Sequence, residues 1–419
     1  MIDGNQARVL AFMSGLALCS GSLSAQSSFG VPIPPPPDRP VVFETAEVPR
    51  IRVVPVTAGL EHPWAMAFRD NGDILITERE RGWLRVIRDG HLVERPIPGV
   101  PEVYSGRLRA GLMDIALHPD DDALVYLTYS KPVEWEGLAG FTVALARGRL
   151  VGDALTEVRD LFVAEGLDLG IAAAKLLFAP DGTLFMSVGG SYVFAGTGEL
   201  AQDPSTHFGK LLRLNPDGTT PADNPFVGRA GYQPQIYSMG HRNQLGLAFH
   251  PVTGALWATE NGPQGGDEAN VILAGANYGW PVASYSRNYA GPWVSDTPWL
   301  DSFEDAQVLW WPSIAPAGLA FYTGERFPEW QGNLFVGSMM VGRLRGTGHV
   351  ERIVFNQNGD EVRREWLLSE LKQRVRDVRV GPDGYIYVLT EGQARRGADA
   401  GALLRIEPDA LPLEPGASR

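Results

Sequence analysis

Leu177-Phe-Ala-Pro-Asp-Gly-Thr-Leu-Phe-Met-Ser187 reads as two short apolar runs hinged on Pro-Asp-Gly, the signature of one β-hairpin. The same shape recurs outward in both directions. Towards the N-terminus lie Met66-Ala-Phe-Arg-Asp-Asn-Gly-Asp-Ile-Leu-Ile-Thr77 and Ile115-Ala-Leu-His-Pro-Asp-Asp-Asp-Ala-Leu-Val-Tyr-Leu127. Towards the C-terminus lie Leu247-Ala-Phe-His-Pro-Val-Thr-Gly-Ala-Leu-Trp-Ala258, a looser copy from Leu319 to Val336, and Val378-Arg-Val-Gly-Pro-Asp-Gly-Tyr-Ile-Tyr-Val388. Six copies spaced by roughly sixty residues predict an all-β chain folded as a six-bladed β-propeller. The runs are β-branched and aromatic, and helical periodicity is nearly absent. A seven-bladed ring and a pair of β-sandwiches are the alternatives, and the repeat disfavours the sandwiches. Ala402-Leu-Leu-Arg-Ile406 is the strand expected to close the ring with N-terminal sequence.

Composition fits this picture. The 419 residues are 44% hydrophobic and 20% charged, globular values that allow a large core. A net charge of −13 argues against nucleic acid and anionic membrane surfaces as partners. Residues 1–25 read as a secretory signal: Arg8 supplies the positive charge, and Val9 to Leu18 is an apolar run too short to span a bilayer. Ser20 to Ala25 offers small residues for cleavage near Ser22 or Ala25. A lipoprotein box at Leu16-Ala-Leu-Cys19 is the alternative, with Leu18 large where a small residue is wanted. The expected location is the periplasm or the exterior. Cys19 is the single cysteine, so no disulfide supports the fold. Residues 26–50, with Pro34-Pro-Pro-Pro37, read as an extended linker, so folded structure is expected from near Arg52. The propeller is assigned to residues 51–410 and a tail to 411–419. No window approaches the length of a membrane span.

The most chemical segment follows the fourth copy. Glu260-Asn-Gly-Pro-Gln-Gly-Gly-Asp-Glu-Ala-Asn270 and Asn277-Tyr-Gly-Trp-Pro281 combine carboxylates, bendable glycines and exposed carbonyls. Hard-oxygen sets of this kind suit Ca²⁺. A polar loop between two strands is the bland alternative. In a propeller, such a loop lies at a blade junction, where ligands bind at the mouth of the central channel.

Taken in order, several motifs resemble the soluble quinoprotein sugar dehydrogenases, the glucose/sorbosone dehydrogenase family. They are Pro63-Trp64, Thr77-Glu78-Arg79, Gly111-Leu-Met-Asp114, Gly209-Lys-Leu-Leu-Arg213, Asp223-Asn-Pro-Phe226, Tyr237-Ser-Met-Gly-His-Arg-Asn243, the Glu260 segment, Arg374-Val-Arg-Asp377 and Gly381-Pro-Asp-Gly384. The resemblance spans about Gly59 to Pro408. It implies a six-bladed propeller that uses pyrroloquinoline quinone (PQQ) and Ca²⁺ to oxidise an aldose or related alcohol, passing electrons to an external acceptor. On this resemblance the carbonyls of Gly262 and Pro263 hold the cofactor's Ca²⁺, and a further cation site matches Glu268 and the backbone of Tyr278. Arg242, Arg374 and Arg376 match positions that bind the cofactor's carboxylates, for which guanidinium forks are suited. Asn243, Asn261 and Tyr289 fall at cofactor-contacting positions.

Three positions depart from the pattern. The family's general base is a histidine in a string like Asn-His-Phe-Gly-Gly-Arg-Leu; here Gly170-Ile-Ala-Ala-Ala-Lys-Leu176 puts Ile171 there, which cannot accept a proton. Arg109 stands for a cofactor-contacting glutamine, and Met340 for a lysine near the quinone. Substitute bases are His207, one blade later, and Asp114, if desolvated; His241 is a weaker candidate. A structural role is the competing reading for each: for Asp114, hydrogen bonding to inter-blade backbone. Two other functions compete with sugar oxidation. One is a different reaction on a bulkier or anionic substrate; the other is a ligand-binding propeller without turnover.

Overall fold

The computed structural model describes residues 33–104, 110–167, 173–190, 198–392 and 400–409. The expected signal peptide and C-terminal tail lie outside these residues, as do Arg109 and Ile171. Six antiparallel sheets follow one another along the chain. The first is Pro63–Phe68, Ile74–Glu78, Trp83–Arg88 and His91–Leu92; the second is Leu112–His118, Asp121–Trp135, Leu138–Val151 and Ala154–Val163. The third runs from Leu176–Phe178 through Leu184–Val188 and Lys210–Leu214 to Ile236–Met239. The fourth contains Gln244–Phe249, Leu256–Glu260, Asp267–Ile272 and Val308–Trp310, and the fifth Pro316–Phe321, Leu334–Ser338, His349–Phe355 and Glu361–Leu367.

The sixth sheet holds five strands: Val375–Val380, Ile386–Thr390 and Gly401–Pro408, then Arg50–Leu60 and Val41–Glu44 from the N-terminal side. Gly401–Pro408 pairs with Arg50–Leu60, with Val53 opposite Ile406, so the expected closing strand does meet N-terminal sequence. Folded structure begins earlier than expected. Val41-Val-Phe-Glu44 lies within the stretch read as linker, yet it pairs with Arg50–Val53. Its β-branched and aromatic residues make a good strand, which the neighbouring prolines obscured.

Each inner strand packs on the inner strand of the next sheet, and the sixth returns to the first, which makes the ring a six-bladed propeller. A hydroxyl at the second strand latches consecutive blades. Thr77 Oγ1 donates to Met113 O (2.6 Å), Thr128 Oγ1 to Ala174 O (2.6 Å), Ser187 Oγ to Gln244 O (3.1 Å) and Thr259 Oγ1 to Ala317 O (2.6 Å). The first three also accept a backbone N–H of their own inner strand, from Ala65, Asp114 and Lys175. Every one of these groups is buried, so each latch matters more for the polar atoms it satisfies than for its net bond strength. Apolar side chains fill the space between blades; Tyr322, Phe327, Trp330 and Phe335 of the fifth pack with Ile51, Val53 and Leu404 of the sixth. Among the described residues, no helix is long and apolar enough to cross a membrane.

Candidate active site at the channel mouth

The strand pairing sets which loops share a face. Where each inner strand starts, the second strand of its blade ends: Pro63 faces Glu78, Gln244 faces Glu260, Pro316 faces Ser338 and Val375 faces Thr390. Arg79, Arg242, Asn261, Met339, Arg374 and Glu391 therefore lie at one end of the channel. The Pro-Asp-Gly turns lie at the other.

Two clusters form at this mouth. At the junction of the sixth and first blades, three guanidinium groups converge on Glu391. Arg376 lies 2.7 Å from it, Arg374 3.3 Å and Arg79 3.4 Å. Burial alone would raise the Glu391 carboxyl, but Arg376, Arg374 and Arg79 outweigh it and hold the group well below the usual carboxylate range. Arg79 also lies 3.5 Å from Glu80, which pairs with His62 at 3.0 Å. Among the described residues, three guanidiniums thus share two carboxylates. Arg376 is buried, and its Nε has no hydrogen-bond partner among them.

The second cluster is in the fourth blade. Glu260 and Glu268 face each other across neighbouring strands. Glu260 accepts the backbone N–H of Arg242 and pairs with His241 Nδ1 at 3.0 Å. The His241 ring stacks on Tyr278 at 4.6 Å and its Nε2 lies 2.8 Å from Ser238 Oγ, so this histidine is held on both sides. Glu268 accepts from Asn270 Nδ2 at 3.2 Å. Burial, then the charge of Glu260, pushes the Glu268 carboxyl up to about 8. Arg242, Glu260, Asn261, Gly262, Gly266, Glu268, Tyr278 and Trp280 enclose a cavity of about 10 Å³, roughly one water-sized sphere.

Asp267 shapes the loop beside that cavity. Its carboxylate accepts from Gly262 N (2.8 Å), Ser313 Oγ (2.7 Å) and Ala315 N (2.7 Å). Position 262 must be glycine, because a Cβ there would sit 2.3 Å from Gly265 O and 2.4 Å from Ser286 Oγ. The Gly262 and Pro263 carbonyls accept no backbone hydrogen bond among the described residues, leaving oxygens for a cation. Among those residues no three His, Cys, Asp or Glu side chains group as a metal site. Arg242 crosses the pocket, donating to Asn261 O (2.7 Å) and reaching Tyr289 Oη at 3.5 Å. Asn243 is buried, and its Oδ1 has no partner among the described residues.

The fifth blade joins the two clusters. Arg343 lies over the Tyr289 ring at 4.8 Å, and Met339 Sδ is 3.3 Å from Arg374 Nη2. Met340 is half-buried beside Met339. A polyanionic, hydrogen-bonding ligand with a hard cation fits this donor set: guanidiniums in excess of carboxylates, an orphaned amide oxygen, and a carbonyl loop against Glu268.

The two substitute bases are placed elsewhere. Asp114 Oδ2 accepts Leu176 N at 2.6 Å, and Oδ1 pairs with Lys175 (3.3 Å) and Arg379 (3.4 Å). The same two cations pair with Asp377 at 3.1 Å each, closing a four-membered ring of alternating charge. Burial pushes Asp114 up; in Asp377 burial acts the same way, but Arg379 and Lys175, at shorter range, hold it below its ordinary value. Asp114 is therefore an inter-blade tie. His207 is buried on the edge of Phe162, in the outermost strand of the second blade, and its Nδ1 accepts Glu165 N at 3.4 Å. Burial lowers its imidazole pKa, and it joins neither mouth cluster.

Of the expected residues, the mouth gathers Arg242, Asn243, Asn261, Gly262, Pro263, Glu268, Tyr278 and Tyr289 on one side and Arg374 and Arg376 on the other. Sequence reasoning missed Glu391, Arg79 and Asp267 as site residues. A signal for Glu391 was present: Thr77-Glu78, Thr259-Glu260 and Thr390-Glu391 are the same dipeptide at the end of the second strand in three blades.

Comparison with known proteins shows the family and agrees with the fold. The family model described as Glucose / Sorbosone dehydrogenase matches residues 60–405. The aldose sugar dehydrogenase YliI of Escherichia coli is 38% identical, over 83% of this chain and 91% of its own. The crystal structure of the soluble aldose sugar dehydrogenase from Escherichia coli in the apo-form superposes with a TM-score of 0.76 at 35% identity, covering 86% of this chain and all of that one. The PQQ-bound form of the aldose sugar dehydrogenase from Streptomyces coelicolor gives a TM-score of 0.65 at 26% identity, covering 89% of this chain and all of that one. The chain belongs to the glucose/sorbosone dehydrogenase family.

Proposed function

We propose that this protein is a PQQ- and Ca²⁺-dependent dehydrogenase that oxidises an aldose sugar or related alcohol and passes the electrons to an external acceptor, in the periplasm or outside the cell. The observation that carries the reading is the arginine cluster: Arg79, Arg374 and Arg376 converge on Glu391, with Arg376 Nε buried and unpartnered among the described residues. PQQ, with three carboxylates, supplies the charge such a cluster can take, and when bound it supplies the two-electron acceptor. Arg242 extends the cationic lining towards the Gly262-Pro263 carbonyls, which would hold Ca²⁺ beside it. Asn243 would place its amide against the ligand, and Glu268 with the Tyr278 backbone would take a second cation. With Asp114 tied between blades and His207 packed on Phe162, the hydroxyl proton leaves to solvent. Lack of a positioned base costs about 10²–10⁴ in rate.

Titration of the purified protein with PQQ and Ca²⁺, followed by absorbance, tests the reading. A shifted quinone spectrum that bleaches on adding aldoses is the expected result; no PQQ binding at micromolar concentration would overturn it. Ile171→His is expected to raise turnover by about 10²–10⁴. One observation favours a second reading, a propeller that binds without turnover: Ile171 at the family's base position. Tight PQQ binding with no bleaching by any aldose would select it.

A further inference from the structure

We propose that His62 is a positioning residue for the arginine cluster: it holds the Glu80 carboxylate to one side and so keeps Arg79 available to an anionic ligand. This rests on the PQQ reading and deepens it, by naming what sets the affinity of that pocket. Arg79 follows the strand Ile74–Glu78 and has little backbone freedom. Its N–H donates to His62 O at 3.1 Å, and its carbonyl accepts Leu112 N of the second blade at 3.0 Å and Gly82 N at 3.3 Å. The second blade packs so close that a Cβ on Gly111 would sit 2.0 Å from the Arg79 carbonyl oxygen. With its main chain fixed on both sides, Arg79 responds to its surroundings only through the side chain. That side chain stands between two carboxylates, with Nη2 3.4 Å from Glu391 and 3.5 Å from Glu80.

Glu80 is itself shared. The same Oε1 lies 3.0 Å from His62 Nδ1 and 3.5 Å from Arg79, so the imidazole holds the nearer place. The side chains of His62 and Glu80 are 11% and 21% exposed, which shields their pair from much of the screening that weakens a surface contact. His62 reaches this place at the cost of backbone strain. Its φ is +42°, in the left-handed region, and Pro63 follows, which restricts it further. Strain of this kind persists only where the surroundings impose it, and it gathers at functional sites.

Without the imidazole, the Glu80 carboxylate is drawn to Arg79. It then pulls that guanidinium from Glu391 and offsets a positive charge on which the pocket depends. A carboxylate of the ligand must compete with Glu80 for the same group. His62 thus acts on the ligand through Glu80 and Arg79 in series, and its effect must vanish where Glu80 carries no charge.

The test is a double-mutant cycle read by equilibrium binding. Wild type, His62→Asn, Glu80→Gln and the double variant are each titrated calorimetrically with PQQ and with benzene-1,3,5-tricarboxylate, a planar tricarboxylate without redox chemistry. Asparagine tolerates the left-handed backbone and carries no charge. His62→Asn is expected to weaken both ligands about two- to fivefold, and Glu80→Gln to tighten them by a similar factor. In the Glu80→Gln background, His62→Asn should change nothing. An equal effect of His62→Asn with and without Glu80 would overturn the proposal, because a residue that only supports the fold acts alike in both. So would weaker binding in Glu80→Gln alone, which decides the matter even if His62→Asn does not fold. Tricarboxylate binding that follows the cycle while PQQ does not bind supports the positioning role and sinks the dehydrogenase reading. PQQ binding that bleaches with aldoses but is indifferent to His62 does the reverse. Failure of both ligands to bind overturns both.

Discussion

Two clusters of buried charge within a few residues of each other along the same strands behave oppositely. In the ring Asp114–Lys175–Asp377–Arg379, two carboxylates meet two cations and each charge touches both opposites. In the mouth cluster, Arg79, Arg374 and Arg376 meet Glu391, and Glu80 is shared between Arg79 and His62. Residues 374–379 of a single strand region supply both, alternating Arg374, Arg376, Asp377 and Arg379. The balanced set needs nothing more and ties blades together. Among the described residues, the mouth set brings more guanidiniums than carboxylates together, and an anion suits it. The balance of charge, rather than its density or burial, distinguishes the structural ion cluster from the candidate binding site.

Breaking the ring has the largest expected consequence. Lys175→Met leaves Asp114 and Asp377 sharing one cation in a buried setting, and removing one partner of a buried pair typically costs about 3–5 kcal/mol. Urea unfolding should show that loss. The double change Lys175→Met with Asp114→Leu should recover part of it, because charge balance is restored. If the double variant is as unstable as the sum of its singles, the ring is not a coupled unit.

Arg376→Ala is the matching change at the mouth. Loss of a charge-assisted anchor for an anionic ligand is worth about 2–3 kcal/mol, so PQQ affinity is expected to fall roughly 30- to 150-fold. Stability should suffer less than from Lys175→Met. An equal loss of stability with unchanged PQQ affinity would erase the distinction between the clusters.

The acidic pair gives a pH signature. Glu268 is raised from 4.5 to about 8 in the metal-free fold, so the folded state keeps a proton that the unfolded chain releases. Stability of the metal-free protein therefore falls as pH rises from about 4.5 to 8. Ca²⁺ needs the carboxylate ionised, so its stabilisation should grow over the same interval, reaching about 5 °C in Tm at a hundredfold excess over Kd. Glu268→Gln should flatten both trends in a thermal melt; a Ca²⁺ shift that does not change with pH contradicts this assignment. The smallest effect is expected for the latch below Asp114. Thr128→Val removes one donor and one acceptor, for about 1–2 kcal/mol by chemical denaturation, and Thr128→Ser should restore most of it.

The repeated hairpin made the ring of blades legible, because each hairpin is a local signal that six copies reinforce. The Gly262–Glu268 loop was legible as a candidate for the same reason: its oxygen-bearing residues lie close in sequence. Asp114 was read as a possible base on its burial alone. Its partner Arg379 is 265 residues away, and Lys175 meets Asp377 across 202 residues, so no local pattern revealed the ring. Glu391 escaped because its role depends on arginines from two blades. Val41–Glu44 escaped because a strand of four residues beside a proline run carries little pattern of its own.

The last blade takes its inner strands from one end of the chain and its outer strands from the other, with Val53 opposite Ile406. Closure is therefore the pairing of strands most distant in sequence among the described residues, and loop-closure entropy is met before any pairing repays it. During synthesis, residues 41–60 emerge before residues 401–408 and wait for them, so the ring cannot lock until that last strand is out. Between those moments the Arg50–Leu60 strand exposes an unpaired edge, which makes it the segment where a slow-folding chain would aggregate.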